Sequence, residues 1–403
     1  MQGSSNGDCD YMVLRLRSGR AYIRADKIGA LKAIDAFIFD CDGVLVDIRE
    51  SYDRAISKTA AKIFEHLTGR GIPEELLSDD IIFLFRRSGG FNNDWDIVYG
   101  ALMFLLCELP ERTLRELSEI MDQLKHIRGA AERLSAIAER TRTYMKESDA
   151  ILLDLNNAVA ELRDFTALLD STGAASVDRA ILGSGRAPGD LYGILRDFLL
   201  GSGRVGESII ATAFEEIFCG PSLFEEAYGI KPGIYFGPGM IENERLIVRR
   251  ETLERLSSMS GGRLGIASGS RRFSAKYVLG DILLLFNPKA QIFLDDIEAA
   301  EAECAKMGLR ISLKKPNPYP LLESAKGLEP FNLALYVGDS MEDAIMVKEA
   351  LRNNSRFLFA GVYEFSGARD KILEEFLKFG CDLIIPSVND IPEIMEALRG
   401  VRD

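Results

Sequence analysis

Two aspartates separated by a single residue follow a short apolar segment near the start of the chain. The segment AFIF, residues 36–39, precedes Asp40 and Asp42, and Gly43 then allows a sharp turn. Such a run is typical of a buried parallel strand, and ligands of open α/β sheets bind at the carboxyl ends of these strands. Two ionised carboxylates this close repel each other, so they need a cation between them or a shared proton. The alternative is a chance Asp-x-Asp that caps the turn after the strand.

A later apolar segment ends in residues that suit a phosphate group. Ser268 closes the segment RLGIAS, residues 263–268, and Gly269 follows it. A hydroxyl and backbone N–H groups at a strand-to-helix turn can hold a phosphate oxygen. Arg271 and Arg272 come next, and either could contact a phosphate or lie in solvent. Gly269 and Arg271 are therefore candidates for substrate binding.

One lysine and two further aspartates complete the set of candidate residues. Lys315 stands before Pro316, which prevents a helix at this point of the chain. Asp339 closes a strand within LYVGDSMEDAI, and Asp343 opens the helix that follows. Two more carboxylates thus reach the same edge of the sheet, which suits Mg²⁺ with its octahedral preference for oxygen ligands.

These residues must be positioned by strands that alternate with helices. Helical patterns at 251–259 and 340–353 separate the later apolar segments, and this alternation predicts an α/β fold with a doubly wound parallel sheet. Since one strand lies near residue 38 and the others follow residue 262, roughly 200 residues are inserted after the first strand. The later apolar segments lie at 263–268, 290–294, 333–337, 356–363 and 381–386.

The expected domain boundaries follow from this arrangement. Residues 11–24 alternate in polarity around Ser18-Gly19 and predict a β-hairpin in an amino-terminal extension. The insertion has helical patterns and predicts an all-α cap domain. The expected divisions are an extension at 1–34, an α/β core at 35–52 and 240–403, and a cap at 53–239 with a long helical insertion at about 127–170.

A heptad-like stripe runs through the insertion. Residues 130–172 contain neither Gly nor Pro, and apolar residues from Ile127 to Leu169 recur in alternating steps of three and four. One continuous helix would be about 65 Å long, whereas a break near Ser148-Asp149 would give an antiparallel hairpin. The stripe is expected to pack inside the helical cap; the alternative is that it joins copies of the chain in a homo-oligomer.

Composition excludes several classes of protein. The 403 residues are 47% apolar and 28% charged, which indicates a soluble globular protein of two to three domains. The net charge of −13 argues against nucleic acid or a membrane as the main partner. The uncharged apolar run at 99–107 has nine residues, far below the roughly 20 of a membrane-spanning helix. Six scattered cysteines without a CxxC, and no visible signal peptide, predict reduced thiols in a cytoplasmic protein.

Taken in order, the four segments around the candidate residues resemble the motifs of the haloacid dehalogenase-like hydrolase superfamily. The resemblance covers about 180 residues of the α/β core, and a helical cap after the first motif resembles one of its subfamilies. It implies a Rossmann-like core in which Asp40 is a nucleophile that forms an aspartyl-phosphate and Asp42 is the general acid/base. It also implies that Ser268 and Lys315 hold the transferring phosphoryl group.

The same resemblance implies a Mg²⁺ cofactor. Asp339, Asp40 and the backbone carbonyl of Asp42 would bind the ion, and Asp343 would support it. An acid at position 42 implies a phosphatase or a phosphomutase, because an alkoxide leaving group needs a proton and a halide does not. The leading interpretation is a Mg²⁺-dependent phosphatase of a small phosphorylated metabolite. The alternatives are a phosphomutase and a non-catalytic oligomeric scaffold built on the helical insertion.

The cap is expected to select the substrate. The segment 86–100 combines two adjacent glycines, two asparagines and the only tryptophan of the chain. Its polar residues, among them Arg86 and Asn93, could close over a phosphate ester. An equally good interpretation is a well-packed turn with Trp95 in its core.

A helical insert precedes Lys315 where relatives usually have a short loop. It spans residues 297–308, IEAAEAECAKMG, and it follows Asp295 and Asp296 at the end of an expected strand. These two acids could orient Lys315 or cap the insert.

Overall fold

The chain divides into two compact units, and the first unit contains all the candidate residues of the α/β core. The computed structural model describes residues 10–91, 93–145, 155–366 and 368–400. One unit comprises Met1–Arg49 and Glu244–Asp403, and the other is Glu50–Asn243.

An eight-stranded sheet forms the centre of the first unit as far as the structure describes it. The strands of the chain are β1 (Tyr11–Arg15), β2 (Arg20–Arg24), β3 (Ala36–Phe39), β4 (Val46–Asp47), β5 (Arg245–Leu246), β6 (Leu264–Ala267), β7 (Gln291–Ile292), β8 (Ala334–Gly338), β9 (Phe357–Val362) and β10 (Leu383–Ile385). Their order in the main sheet is β1-β2-β10-β9-β8-β3-β6-β7, and β3 and β6–β10 run parallel. The predicted α/β fold, a mostly parallel sheet with a large all-helical insertion, is confirmed.

Strand β3 is buried on both faces. Phe37 and Phe39 join the apolar cluster on one face of the sheet, and Ala36 and Ile38 join the cluster on the other. Because both faces are covered, every residue of the strand is apolar and no polar alternation is visible in the sequence. Pairing with β8 on one side and β6 on the other brings the ends of three strands to the same edge.

The hairpin of β1 and β2 extends the sheet beyond β10. Ile23 lies opposite Leu383, and Tyr22 lies opposite Ile384, in antiparallel register. Gly19 at the turn has a φ of 152°, and a Cβ atom there would lie 3.0 Å from Pro386. The hairpin therefore covers the edge that β10 would otherwise present to solvent.

Helices flank the sheet and make up the second unit. In chain order they are α1 (Ile28–Lys32), α2 (Tyr52–Thr68), α3 (Asp79–Arg87), α4 (Asp94–Cys107), α5 (Glu111–Leu124), α6 (Ala130–Met145), α7 (Leu155–Thr166), α8 (Ala174–Gly183), α9 (Gly189–Leu200), α10 (Ile209–Cys219), α11 (Pro221–Tyr228), α12 (Arg250–Ser260), α13 (Arg272–Leu279), α14 (Leu294–Lys306), α15 (Tyr319–Leu328), α16 (Met341–Ala350), α17 (Arg369–Phe379) and α18 (Ile391–Arg399). None of the described helices is long and apolar enough to cross a membrane.

The described part of the stripe lies mostly on α6 and α7. Helix α6 packs against α2, α5 and α10, and α7 packs against α3 and α4. Described stripe residues such as Leu134 and Leu162 are consequently buried between helices of the same unit. The expected break at Ser148-Asp149 lies outside the described residues, and the homo-oligomer stays a prediction.

A two-stranded ribbon marks where the chain leaves and re-enters the first unit. Strand β4 pairs antiparallel with β5, so that Val46 lies opposite Leu246 and Asp47 opposite Arg245. The last residues before the insertion and the first after it are therefore neighbours.

Candidate active site

The carboxyl ends of three neighbouring strands carry candidate residues. Asp40 directly follows β3, Asp339 follows β8 and Ser268 follows β6. The backbone N–H of Asp40 donates to the Val337 carbonyl at 2.9 Å, so the pairing of β3 with β8 continues as far as the aspartate. Ligands of open parallel sheets bind at this edge. The sheet thus assembles one candidate site from three segments that are far apart in the sequence.

The turn after Asp42 depends on a glycine. Gly43 has a φ of 71°, a conformation that other residues rarely adopt. A Cβ atom at this position would lie 2.0 Å from Oδ2 of Asp339. Glycine is required both for the backbone conformation and for the close approach of the Asp339 carboxylate. Asp42 is half-buried at this turn, where it forms a backbone bridge with Val46.

The Lys315 side chain is 9% exposed and lies between two carboxylates. Its Nζ lies 2.7 Å from Oδ2 of Asp40 and 2.7 Å from Oδ1 of Asp343. Burial alone would lower the pKa of the ammonium group, but the nearby Asp343 and Asp40 raise this pKa above its ordinary value. Lys315 therefore stays charged beside Asp40.

Carboxylates outnumber cations at this edge of the sheet. Oxygen atoms of Asp40, Asp339 and Asp343 all lie within 4.8 Å of one another. Burial raises the pKa of Asp339, and repulsion by Asp343 and Asp40 raises it further. Burial also raises the pKa of Asp40, although the attraction of Lys315 opposes this change. In the metal-free protein, Asp339 and Asp40 therefore hold protons more tightly than exposed aspartates do.

The three carboxylates can hold a metal ion. Carboxylate oxygens are hard ligands of the kind that Mg²⁺ prefers, and a divalent cation would offset the excess of negative charge. Within the described part of the chain, no group donates a hydrogen bond to the Asp339 carboxylate, which leaves its oxygens available. Asp42 contributes no side-chain oxygen to the group of three. Its backbone carbonyl, the ligand implied by the resemblance, stays a prediction.

Asp343 is held firmly by its own neighbours. Ser340 Oγ donates to Oδ2 of Asp343 at 2.7 Å, and the Asp343 backbone N–H donates back to Ser340 Oγ at 3.3 Å. This reciprocal pair caps the start of α16, in agreement with the prediction that Asp343 opens a helix. The hydroxyl of Tyr336 lies 2.9 Å from Oδ1 of the same carboxylate. Tyr336 cannot be identified as a site residue from the sequence, because an apolar strand does not reveal which of its residues faces the site.

The Ser268 hydroxyl lies beside a second serine that the sequence analysis also missed. Ser268 Oγ and Ser270 Oγ are 2.8 Å apart, and both residues are buried. The Ser268 side chain favours the ionised form of Asp40, which opposes the effect of burial on the pKa of that carboxyl. Gly269 between them is exposed, with open space where a side chain would lie. The pattern Ser-Gly-Ser after a strand is the signal that could have identified Ser270.

Arg271 and Arg272 form ion pairs with acids of α14. Arg271 lies 2.9 Å from Glu298, and Arg272 lies 2.6 Å from Asp296. Asp296 also accepts a hydrogen bond from the Phe293 backbone N–H at 2.8 Å, and it therefore caps α14. Asp296 therefore caps the helical insert, which is one of the two predicted roles; the other was to orient Lys315. Substrate binding by Arg271 stays a prediction, and it would compete with the Glu298 ion pair.

Arg86 and Asn93 have partners within the helical unit. Arg86 lies 2.7 Å from Asp53 and 3.1 Å from Asp94. The Asn93 side chain accepts a hydrogen bond from the Trp95 backbone N–H at 3.1 Å and caps α4. These are the contacts of a well-packed turn. Contact of either residue with a substrate stays a prediction.

Comparisons with known proteins identify the fold. No protein-family model matches the chain, and no curated protein sequence matches it. The crystal structure of Northeast Structural Genomics Consortium target ZR25 is similar, with a TM-score of 0.64 and 16% identity over 92% of this chain and 100% of that one. Phosphatase Tt82 from Thermococcus thioreducens is also similar, with a TM-score of 0.50 and 21% identity over 90% of this chain and 99% of that one.

These likenesses place the chain among α/β proteins with a large helical insertion. Each covers at least nine-tenths of this chain, so the insertion is part of the shared fold rather than an addition to it. At these identities the likeness concerns the fold alone. In structure, the chain is distantly similar to a phosphatase.

Proposed function

We propose that this chain is a Mg²⁺-dependent phosphatase that hydrolyses a small phosphorylated metabolite through an aspartyl-phosphate on Asp40. The observation that carries the proposal is the position of Lys315, whose Nζ lies 2.7 Å from both Asp40 and Asp343. A buried carboxylate with a charged lysine beside it suits attack on a phosphate ester, because the lysine can stabilise the transferring group. The structural similarity to a protein named a phosphatase supports the same class of reaction.

Asp40 is the proposed nucleophile of the first half-reaction. One of its carboxylate oxygens bonds to phosphorus while the bond from phosphorus to the ester oxygen breaks. Asp42, placed at the turn that Gly43 allows, gives its proton to the departing oxygen. Ser268 and Lys315 hold oxygens of the transferring group, and the 2.7 Å contact of Lys315 with Asp40 fixes the orientation of that carboxylate.

Water completes the second half-reaction. Asp42, now ionised, takes a proton from water while the water oxygen bonds to phosphorus. The bond between phosphorus and Asp40 breaks, which releases phosphate and restores the Asp40 carboxylate. Asp42 is left protonated, as it was before the first step.

Asp40 and Asp339, with the backbone carbonyl of Asp42, would hold Mg²⁺. When bound, Mg²⁺ supplies positive charge that offsets both the acids and the phosphoryl oxygens. The chain itself must keep Asp40 ionised. Lys315 and Ser268 favour the ionised form, because each opposes the burial that raises the pKa of the Asp40 carboxyl.

The proposal is tested with the full chain and a panel of phosphate esters. Hydrolysis should disappear after chelation and dialysis and return when Mg²⁺ is added. Undiminished activity in the metal-free protein would contradict the metal requirement. A wild-type chain that hydrolyses no ester of a broad panel in the presence of Mg²⁺ would overturn the proposed function.

Asp40→Asn tests the nucleophile directly. The variant keeps the size of the side chain but loses the attacking oxygen, and turnover should fall by about 10⁴-fold or more. Asp382→Asn is the matched control, because Asp382 is a buried acid directly before β10 that accepts a hydrogen bond from the Phe359 backbone N–H at 3.0 Å. The control should lose stability but keep its activity.

A further inference from the structure

Tyr336 connects two parts of the candidate site that belong to different strands. The residue lies on β8, three positions before Asp339, and it is fully buried. Its hydroxyl is 2.9 Å from Oδ1 of Asp343 and 3.0 Å from the carbonyl oxygen of Ala267. Ala267 is the last residue of β6 and directly precedes Ser268. One hydroxyl thus bridges the carboxylate that holds Lys315 and the strand end that carries Ser268.

The hydroxyl of Tyr336 has one proton for these two acceptors. A carbonyl oxygen and an ionised carboxylate can only accept, so the proton is shared between Ala267 and Asp343. Oδ1 of Asp343 also accepts from Lys315 at 2.7 Å, so Tyr336 and Lys315 meet at the same oxygen atom. The Lys315 ammonium also lies 5.5 Å from the centre of the Tyr336 ring. A shift of this hydroxyl would therefore move the lysine anchor as well.

The ring of Tyr336 is itself fixed. It stacks on Phe359 of β9, with ring centres 6.4 Å apart and an angle of 21° between the planes. A rigid ring on a central strand holds its hydroxyl in one place, and buried networks of this kind specify a single geometry when every member has a partner.

We infer that Tyr336 is a positioning residue for phosphoryl transfer: its hydroxyl sets the distance between the Lys315–Asp343 pair and Ser268. This inference rests on the proposed function, in which Lys315 and Ser268 hold the same transferring group. Tyr336 does not touch the reacting atoms; it acts through Asp343 and through the end of β6. Misplacement of a phosphate-binding group weakens binding of the transition state more than binding of the product.

Tyr336→Phe removes the hydroxyl and leaves the ring. With nitrophenyl phosphate and Mg²⁺, kcat should fall by about tenfold while KM changes by less than about twofold. Affinity for vanadate, which mimics the transition state, should weaken by the same factor as kcat/KM, whereas affinity for inorganic phosphate should change by less than about twofold. A role in folding alone would lower thermal stability and leave the ratio of vanadate to phosphate affinity unchanged.

Tyr363→Phe is the matched control. Tyr363 is also buried, and its hydroxyl donates at 2.8 Å to the carbonyl of Arg20, a residue of β2. This variant should lose a similar amount of stability and keep wild-type kinetics. Rates are expressed per folded site, counted from the stoichiometry of vanadate binding by calorimetry, so partial unfolding of a variant does not obscure kcat.

Two results would overturn the inference. One is a Tyr336→Phe protein whose kcat and vanadate affinity stay within about twofold of the wild type. The other is an equal loss in Tyr363→Phe. Failure of the proposed function is a separate outcome: a wild-type chain without turnover can still be compared with Tyr336→Phe by vanadate and phosphate calorimetry. A wild-type chain that binds neither anion would overturn both.

Discussion

The buried charged groups compared in the two units differ in whether their partners satisfy them. In the helical unit, the buried Glu216 carboxylate accepts hydrogen bonds from the backbone N–H groups of Gly233, Ile234 and Tyr235 at 2.7 to 3.1 Å. Buried Arg133 donates to two backbone carbonyls, one of them that of Glu207 at 2.6 Å. Each of these charges has polar partners within its own unit.

In the α/β unit, the charges at the carboxyl edge do not balance. Asp40, Asp339 and Asp343 crowd within 4.8 Å, and Lys315 is the cation that lies between two of them. A buried charge that has its partners serves the fold alone, whereas an unbalanced cluster keeps its charge only when a ligand supplies the missing cation. The difference between the units therefore points to the carboxyl edge as the place where chemistry occurs.

Removing Lys315 should have the largest effect on turnover and stability, because it increases the excess of negative charge at the carboxyl edge. Lys315→Met is expected to lower turnover by about 10² to 10³-fold, since the cation beside the transferring group is lost. It should also lower the free energy of unfolding by about 3–5 kcal/mol, because buried Asp40 and Asp343 lose their partner. Lys314→Met is the control, since Lys314 is half-exposed and lies 3.5 Å from Glu298. Equal losses in both variants would refute the special role of Lys315.

Mg²⁺ should stabilise the α/β unit, and more so at higher pH. Burial raises the pKa of Asp339 above its ordinary 3.8, so the folded metal-free state binds a proton there more tightly than the unfolded state does. The associated stability is complete below the ordinary pKa and is lost as the pH rises through the raised pKa. Mg²⁺ competes with that proton, so its effect should be larger at about pH 8 than at about pH 5.5.

Thermal unfolding with and without Mg²⁺ at the two pH values measures this effect. At about 100 times the dissociation constant, the expected stabilisation is about 2.7 kcal/mol. Asp339→Asn should remove most of it and should make the metal-free protein less sensitive to pH. An equal shift in melting temperature at both pH values, or one retained in Asp339→Asn, would place the bound ion elsewhere.

Neutralising Glu216, a buried carboxylate whose hydrogen-bond partners are present, should lower the free energy of unfolding without lowering the rate of turnover. Glu216→Gln places an amide NH₂ group among three backbone N–H donors, and it should cost about 1–3 kcal/mol of unfolding free energy. Turnover per folded molecule should stay within about twofold of the wild type. Denaturant unfolding and kinetics are measured beside Glu226→Gln, an exposed position on α11. A large loss of kcat at full folding would show that Glu216 does more than support the loop.

Arg86→Met should have the smallest effect. The Arg86 side chain is 40% exposed, and its ion pairs with Asp53 and Asp94 are partly screened by solvent, so about 1 kcal/mol or less is expected. KM for a phosphate ester should stay close to that of Arg87→Met, the exposed neighbouring variant. A tenfold rise in KM with unchanged stability would instead support the prediction that Arg86 contacts the substrate.

The sequence predicts the sheet well because buried parallel strands are short apolar runs. The run at 356–363 became Phe357–Val362, and the run at 263–268 became Leu264–Ala267. The run at 290–294 is partly wrong as a strand, since pairing ends at Ile292 and a helix begins at Leu294. Asp296, the third residue of that helix, caps its start through the Phe293 backbone N–H. The cap therefore favours a helix from Leu294, although Phe293 and Leu294 continue the apolar pattern of a strand.

The candidate site is less predictable, because its contacts depend on strand register. Asp40 and Asp339 can be placed at one edge from the sequence, since each closes an apolar run. The bridge from Tyr336 to Ala267 cannot, because it requires knowledge of which residues of β6 and β8 face the same layer. The role of Arg86 could not be predicted either. A positively charged side chain in this segment suits an ion pair with a nearby acid as well as a contact with a phosphate group.

Trapping the covalent intermediate tests the central claim most directly. Asp42→Asn is mixed with nitrophenyl phosphate and Mg²⁺ in a rapid-quench instrument, and the protein is digested to locate any phosphoryl group. Nitrophenolate leaves without a proton, so the first step should proceed, while the water step should slow by about 10² to 10⁴-fold for lack of a base. We expect a burst of about one nitrophenol per site and phosphate bound to Asp40. Linear release from time zero, with no phosphate on Asp40, would contradict it.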